Sequence, residues 1–324
     1  INAASLVILK PNTDKLDPYY LSAYLNSLHG RKQIKSLNVG SVQSVLNVNI
    51  AKKIKIPNHS LEEQKKISRI LNILNSKIEL NQKMNETLEE IAKTLFKSWF
   101  IDFDPVRAKA EGRPTGLSKE ISDLFPDSFE DSELGEIPKG WGLIKVEDVA
   151  KVTSGKAPPQ REISKSDSSP FTIFGGAGPI GFCSKPLEFN KPAIITGRVG
   201  TLGKVFFINE ECWISDNSIL ICDAGLYTSI IFSILNLMDM SALNVGSTQP
   251  LVTGKDIKNI NLNKPPKIVL EKFTSFFDLI KSKQSTLERE VDYLIKLRDT
   301  LLPKLISGEL KITDAESLVE EVGI

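Results

Sequence analysis

Cysteine, histidine and methionine are scarce in this 324-residue sequence, with three Cys, two His and three Met. Cys183, Cys212 and Cys222 form no C-x-x-C pair. That argues against a zinc site and suits a reducing compartment. With His29 and His59 alone, no Ser-His-Asp or Cys-His set can be assembled convincingly. No apolar run approaches the roughly 20 residues that span a bilayer, and no basic-then-apolar leader opens the sequence. An excess of charge is missing too: 41 Lys and Arg against 40 Asp and Glu leave +1, so overall charge points to neither nucleic acid nor membrane. The expectation is a cytoplasmic protein that holds no metal. It starts at Ile1 rather than Met, which reads as a fragment or a missing start.

What is present is ordinary for folded protein, 41% hydrophobic and 25% charged residues, over a length that suggests two domains. An internal repeat organises it. Leu37-Asn38-Val39-Gly40-Ser41-Val42-Gln43 returns as Leu243-Asn244-Val245-Gly246-Ser247-Thr248-Gln249, a shift of 206 residues. Lys52 and Ile54 meet Lys258 and Ile260 at the same shift, and with a small length difference Ile1–Val7 resembles Ile214–Leu220. A long helix is expected after each copy. Ile67, Leu71, Leu74, Ile78, Asn81, Asn85, Leu88, Ala92, Leu95 and Trp99 step by four and three, the seam of a heptad coiled coil. Phe273, Phe277, Ile280, Gln284, Leu287, Val291, Leu294, Arg298, Leu301 and Leu305 repeat those steps. Ser60 before Glu63 reads as a capping box.

Each helix would be about 60 Å long and hardly stable alone. Pairing the two seams antiparallel within one chain is the simple solution; homodimerisation through the same seams stays open. Polar Asn81, Asn85, Gln284 and Arg298 would cost stability and fix register.

Residues 101–140 read as a linker rich in turn and charge residues, and 141–265 as an α+β domain. Its expected strands are Phe171–Phe174, Ala193–Thr196, Lys204–Ile208 and Ser218–Cys222, followed by a helix over Tyr227–Met240. Residues 1–58 match only the end of that domain, so the first repeat lacks the counterpart of 141–212. The expected division is 1–58, a partial first domain; 59–100, the first helix; 101–140, linker; 141–265, the second domain; 266–310, the second helix; and 311–324, a tail.

The linker is the most specific text. Trp99-Phe100-Ile101-Asp102-Phe103-Asp104-Pro105-Val106-Arg107, Leu124-Phe125-Pro126-Asp127 and Leu134-Gly135-Glu136-Ile137-Pro138-Lys139-Gly140-Trp141 closely resemble the specificity (S) subunits of type I restriction-modification enzymes. So do Gly197-Arg198-Val199-Gly200-Thr201-Leu202-Gly203-Lys204 and the closing Leu301–Leu310 stretch, and the resemblance covers the whole chain. It implies an α+β protein in which target-recognition domains of mixed α/β structure are joined by two long helices in an intramolecular antiparallel coiled coil. It implies a non-catalytic reader of double-stranded DNA, each domain taking one half of a bipartite target. The helices would set the spacing and dock two modification (methyltransferase) subunits, joined by a restriction (translocase/nuclease) subunit. S-adenosylmethionine, ATP and magnesium would belong to those partners. The alternatives are the specificity portion of a fused restriction-methyltransferase, a silent or half-length cassette, or a plain coiled-coil interaction protein.

The residues themselves suggest no active site. Gly176-Ala177-Gly178-Pro179-Ile180-Gly181 matches G-x-G-x-x-G by letter, but Pro179 and Pro186 deny it the helix a dinucleotide needs, so a Gly-rich turn between strands is expected. Asp17-Pro18-Tyr19-Tyr20 half resembles a methyltransferase loop; helix capping is the stronger reading. Residues 141–265 carry 12 basic and 11 acidic residues, unlike an autonomous DNA binder. Candidate DNA contacts are long polar side chains on Gly/Pro-punctuated loops: Gln160 and Arg161 after Pro158-Pro159, Lys185, and Arg198, Thr201 and Lys204 in a Gly-rich hairpin. Arg can read guanine and Gln adenine, while Lys positions the backbone. Arg198 is the strongest. Gln43, Thr248 and Gln249 recur in the repeat and suit either DNA contact or the junction to the helix. Trp99, Phe100 and Phe103 suit seam packing or, with Arg107, a docking patch for a modification subunit.

Overall fold

The computed structural model describes residues 7–37, 48–133, 135–198, 204–238 and 252–321. The chain divides into two compact units, Ile1–Leu88 with Ser282–Ile324, and Glu89–Lys281.

Unit 1 is helical. It contains α1 (Pro18–Asn26), α2 (Leu28–Leu37), α3 (Val48–Ala51) and the first part of α4 (Leu61–Phe100). Asp17 caps α1, its carboxylate accepting the Tyr20 N–H at 2.9 Å with Pro18 in the first turn, as the sequence leads one to expect. The capping box at α4 is also present: Ser60 N–H donates to Glu63 at 2.8 Å and Glu63 N–H to Ser60 Oγ at 3.3 Å. Gly30 seats α2 tightly on α1, since a Cβ there would come within 2.2 Å of the Tyr24 carbonyl. Gln33 reaches from α2 to the segment after α3, accepting the Lys55 N–H at 2.6 Å and donating to the Lys55 carbonyl at 3.1 Å.

Ile67, Leu71, Leu74 and Ile78 of α4 are buried with Val291, Leu294, Leu301 and Leu305 of a second long helix, which runs Lys267–Ser307 and is labelled α10 below. His59 Nε2 donates to the Ile306 carbonyl (2.9 Å), Arg298 to Asn75 Oδ1 (3.0 Å), Lys77 pairs with Glu290 (3.2 Å), and Gln284 Nε2 donates to the Asn85 carbonyl (3.2 Å). Numbers rise on one helix as they fall on the other, so in unit 1 the helices pair antiparallel within the chain. The polar layer is under-satisfied: Asn81 is 1% exposed, yet its Nδ2 and the Asn85 Oδ1 have no hydrogen-bond partner among the described residues. The stretch after α10, expected as a tail, forms a helix over Ile312–Glu321, labelled α11 below, whose Ala315 and Val319 join this core.

Unit 2 carries the sheets. After α4 come α5 (Asp104–Ala110), α6 (Lys119–Ser122), β1 (Phe129–Ser132), β2 (Gly135–Pro138), β3 (Gly142–Lys145), α7 (Val146–Val149) and β4 (Lys151–Ser154). There follow β5 (Phe171–Gly175), β6 (Gly178–Cys183), β7 (Ala193–Gly197), β8 (Val205–Ile208), β9 (Cys212–Ile214), β10 (Ser218–Cys222), α8 (Tyr227–Leu237), α9 (Gly254–Lys258) and β11 (Asn261–Lys264). An antiparallel sheet has the order β4-β10-β7-β8; a second, β6-β5-β9, pairs β5 with β9 in parallel. β7 and β10 are buried on both faces, as their continuous apolar runs require. The Gly176 stretch is the tight turn between β5 and β6 that its prolines imply.

The stretch expected as a linker is folded into this unit. Val106, Phe125 and Ile137 are buried in its core, and Lys109 Nζ donates to the carbonyls of Ser122 and Phe125. Turn residues punctuate the segment, but the apolar side chains between them are enough to pin it down. Among the described residues no helix is long and apolar enough to cross a membrane.

Candidate nucleic-acid interface

The strongest candidate site lies where β7 ends. Two close backbone approaches build it. A Cβ on Gly176 would fall 2.6 Å from the Gly197 Cα, so the β5–β6 turn and the end of β7 touch main chain to main chain, which only glycine permits. A Cβ on Gly155, after β4, would meet the Ser215 carbonyl at 2.2 Å. These contacts draw the ends of β4, β5, β7 and β10 together.

Arg198 emerges from this knot. Its N–H donates to the Asn217 carbonyl (3.1 Å) and its own carbonyl accepts the Val252 N–H (3.0 Å), so its backbone is fixed from both sides. Among the described residues the half-buried guanidinium reaches one acceptor, Ser154 Oγ at 3.5 Å. A guanidinium carries five donors in a fixed fork, a geometry that suits paired acceptors. Lys204, just before β8, is exposed, with its Nζ 3.5 Å from the Ala177 carbonyl on the β5–β6 turn. Arg198 and Lys204 thus flank one turn.

The other candidates are placed as follows. Arg161 lays its side chain over Gly181 of β6, where a Cβ would sit 2.9 Å from its Cγ; Gln160 beside it is exposed. Lys185 is exposed, and its carbonyl accepts the Cys183 thiol at 3.1 Å. Thr201, Gln43, Thr248 and Gln249 lie outside the described residues. The docking expectation needs correction for three residues. Trp99, Phe100 and Phe103 are 1%, 2% and 7% exposed, because they stack with Phe125, Trp141 and Phe273 in the core of unit 2. They offer no face to a partner. Arg107 is exposed, its Nε donating to the Asp102 carbonyl (2.9 Å) and its guanidinium 5.0 Å from the Phe129 ring.

Sequence reasoning missed Ser154, in β4, and Asn217, in the turn before β10, which contact Arg198 from places distant in sequence. Ser154-Gly155 and the glycines around Ala177 were the only local hint. The three cysteines are buried, and burial pushes every thiol up, that of Cys212 to about 12, which keeps them poor nucleophiles. Among the described residues no group of three or more His, Cys, Asp or Glu is placed to hold a metal.

Residues 2–90 and 138–290 match the family described as the type I restriction modification DNA specificity domain. The chain is 30% identical over 303 residues to the specificity subunit of type I restriction enzyme MjaIX from Methanocaldococcus jannaschii, covering 87% of this chain and 66% of that protein. It is 26% identical over 388 residues to the HindI specificity subunit from Haemophilus influenzae, covering 95% and 81%. In fold it resembles the S subunit of a type I restriction-modification system from M. genitalium, with a TM-score of 0.59 at 16% identity, over 91% of this chain and 74% of that one.

Proposed function

The chain belongs to the type I restriction modification DNA specificity family, and from that premise we propose that it is the DNA-reading subunit of such a complex, contributing recognition rather than catalysis. Unit 2 reads one half of a bipartite target in double-stranded DNA with the edge built on Arg198. The observation that carries this is the placing of Arg198: its backbone is held by Asn217 and Val252, and its half-buried guanidinium lies 3.5 Å from Ser154 Oγ at the edge where the close glycine contacts gather. Such an arginine is pre-ordered to meet the O6 and N7 of a guanine in the major groove. Lys204 beside it suits a phosphate.

The paired helices set the spacing between half-sites, about one to two DNA turns, and dock the modification subunits. With Trp99, Phe100 and Phe103 buried, docking falls to outer helix faces, where Leu80 is 53% and Met84 38% exposed at a four-residue spacing on α4. S-adenosylmethionine, ATP and magnesium act in the modification and restriction subunits.

The test is methylation mapping on genomic DNA with the modification subunits expressed with and without this chain. A split, asymmetric motif methylated only when the chain is present supports the reading; identical maps overturn it. Inserting matched heptads, about 10 Å each, into both helices lengthens the unread spacer and leaves the half-sites unchanged. An unchanged spacer removes the ruler from the account.

A further inference from the structure

Ile163 is 91% exposed, more than any other large apolar side chain among the described residues. It stands on the segment between β4 and β5, which leaves β4 at Ser154, the residue that the Arg198 guanidinium reaches. A solitary exposed aliphatic is common on protein surfaces and by itself asks for no explanation. This one differs in the stiffness of its base. The Glu162 N–H donates to the Phe182 carbonyl and the Phe182 N–H to the Glu162 carbonyl, both at 2.9 Å. The segment is thereby stitched to the outer edge of β6 one residue before Ile163. A Cβ on Gly181 would fall 2.6 Å from the Glu162 carbonyl, so strand and segment touch where only glycine fits. Three residues beyond Ile163, Ser166 and Ser169 bridge in a closed turn, the Ser169 N–H donating to the Ser166 carbonyl at 3.1 Å. Ile163 is thus held out into solvent from a base fixed on both sides.

Its surroundings narrow what it can meet. Arg161 and Lys165 flank it, both exposed, and neither makes an ion pair among the described residues. Of the two nearby carboxylates, Glu162 accepts the Ser166 hydroxyl at 3.3 Å and Asp167 sits in the Ser166–Ser169 turn. A protein interface gathers several apolar or aromatic anchors, yet among the described residues of this segment Ile163 is the one exposed large apolar side chain. A single branched aliphatic between two cations suits the one apolar group that the major groove displays, the C5-methyl of thymine. β6 sets the scale. The β5–β6 turn carries Ala177, whose carbonyl Lys204 approaches, and Phe182 is the residue bonded to Glu162. From Ala177 to Phe182 a strand rises about 17 Å, which is about five base-pair steps of duplex.

Given the DNA-reading role above, on which this rests, we propose that Ile163 is a specificity-determining residue that reads the C5-methyl group of a thymine lying within about five base pairs of the pair read by Arg198. The chain in complex with the modification subunits is titrated into fluorescein-labelled duplexes carrying the target found by methylation mapping. Each thymine of the half-site that Arg198→Ala relaxes is replaced in turn by deoxyuridine, which lacks only the methyl. The parent is expected to bind one uracil duplex about 3- to 10-fold more weakly than the thymine duplex, the effect of withdrawing one methyl from an apolar contact. Ile163→Ala should weaken binding to the thymine duplex by a similar factor and be indifferent to uracil at that position, while Ile163→Val keeps most of the methyl effect. Because Ile163 is exposed, both variants are expected to melt with the parent. A half-site without thymine, no methyl effect within about five base pairs of the Arg198 pair, or a methyl effect that persists in Ile163→Ala overturns the proposal. So does an Ile163→Ala chain that binds every duplex as the parent does but no longer co-purifies with the modification subunits, which would make the residue a protein contact. Failure of the reading role shows separately, as methylation maps indifferent to the chain; failure of this proposal leaves a chain-dependent map in which no thymine methyl matters to Ile163.

Discussion

The two units share a helical seam and differ in almost everything built on it. All fifteen Phe and all three Trp lie between residues 96 and 277, inside unit 2; unit 1 fills the same heptad positions with Ile, Leu and Val. Within α4 the change occurs along one helix, from Ile67, Leu71 and Leu74 to Phe96, Trp99 and Phe100. Large rings suit a unit that must hold several short strands and an irregular segment against two helices. A pair of helices with short neighbours needs only interlocking aliphatics. Net charge divides the other way, 19 basic and 15 acidic residues in unit 1 against 22 and 25 in unit 2, while close glycine approaches occur in both, at Gly30 and at Gly155 and Gly176. The lesson is that a coiled-coil seam fixes which residues are inside without fixing what the outside is for.

That contrast can be broken, most forcefully in the core. Phe273 is fully buried against Phe96, Trp99 and Phe100, so Phe273→Ala is expected to cost about 3–5 kcal/mol, read by urea denaturation followed through tryptophan fluorescence. Leu74→Ala in unit 1 should lower helical ellipticity at less denaturant while moving the tryptophan signal less. Equal shifts in both signals would reveal one cooperative block and dissolve the comparison. Next is Arg198→Ala, expected to lose about 1–3 kcal/mol of discrimination at one base pair of the target with an unchanged melting temperature. A uniform loss across all sequences would instead make Arg198 a phosphate contact.

A smaller effect is expected in the seam. Asn81→Leu removes a buried amide whose Nδ2 has no partner, so it should stabilise unit 1 by about 1 kcal/mol while loosening register, seen as added oligomers by light scattering. Destabilisation would mean the amide is satisfied in solution. The smallest is the helix cap. The Ser60 hydroxyl and N–H hold the Glu63 carboxyl below its ordinary value of 4.5. A lowered folded value means that the cap contributes above the ordinary glutamate range and fades as pH falls through the lowered one. Thermal melts from neutral to about pH 3 should therefore show a slightly shallower acid loss in Glu63→Gln than in the parent; identical profiles would remove the cap from the pH dependence.

Much of this was written locally and so could be read locally. The seam residues, the caps at Asp17 and Ser60, the strands at Phe171, Ala193 and Ser218 and the turn at Gly176 depend on neighbours a few residues away. The folding of 101–140 was not legible, because Val106, Phe125 and Ile137 are isolated apolar residues among turn formers and declare themselves only against a core made elsewhere. The same holds for α11, whose Ala315 and Val319 are too few to mark a packed face. Arg198 could be singled out by its glycines, but Asn217, Val252 and Ser154, which hold it, come from strands and loops that meet only in three dimensions. The charge split was visible in principle and was lost by averaging over the whole chain.

At the repeat shift Lys55 corresponds to Asn261, the first residue of β11, whose backbone is covered by β3. In unit 1 the same N–H and C=O are covered by one side chain, which imitates a neighbouring strand for the length of a single residue. A backbone amide held by a side chain is released when that side chain is removed, which opens the segment locally. Gln33 therefore ties the segment after α3 to α2 through one amide, and Gln33→Ala is expected to leave both Lys55 backbone groups to water, read as faster amide exchange at Lys55 with an unchanged rate in β11.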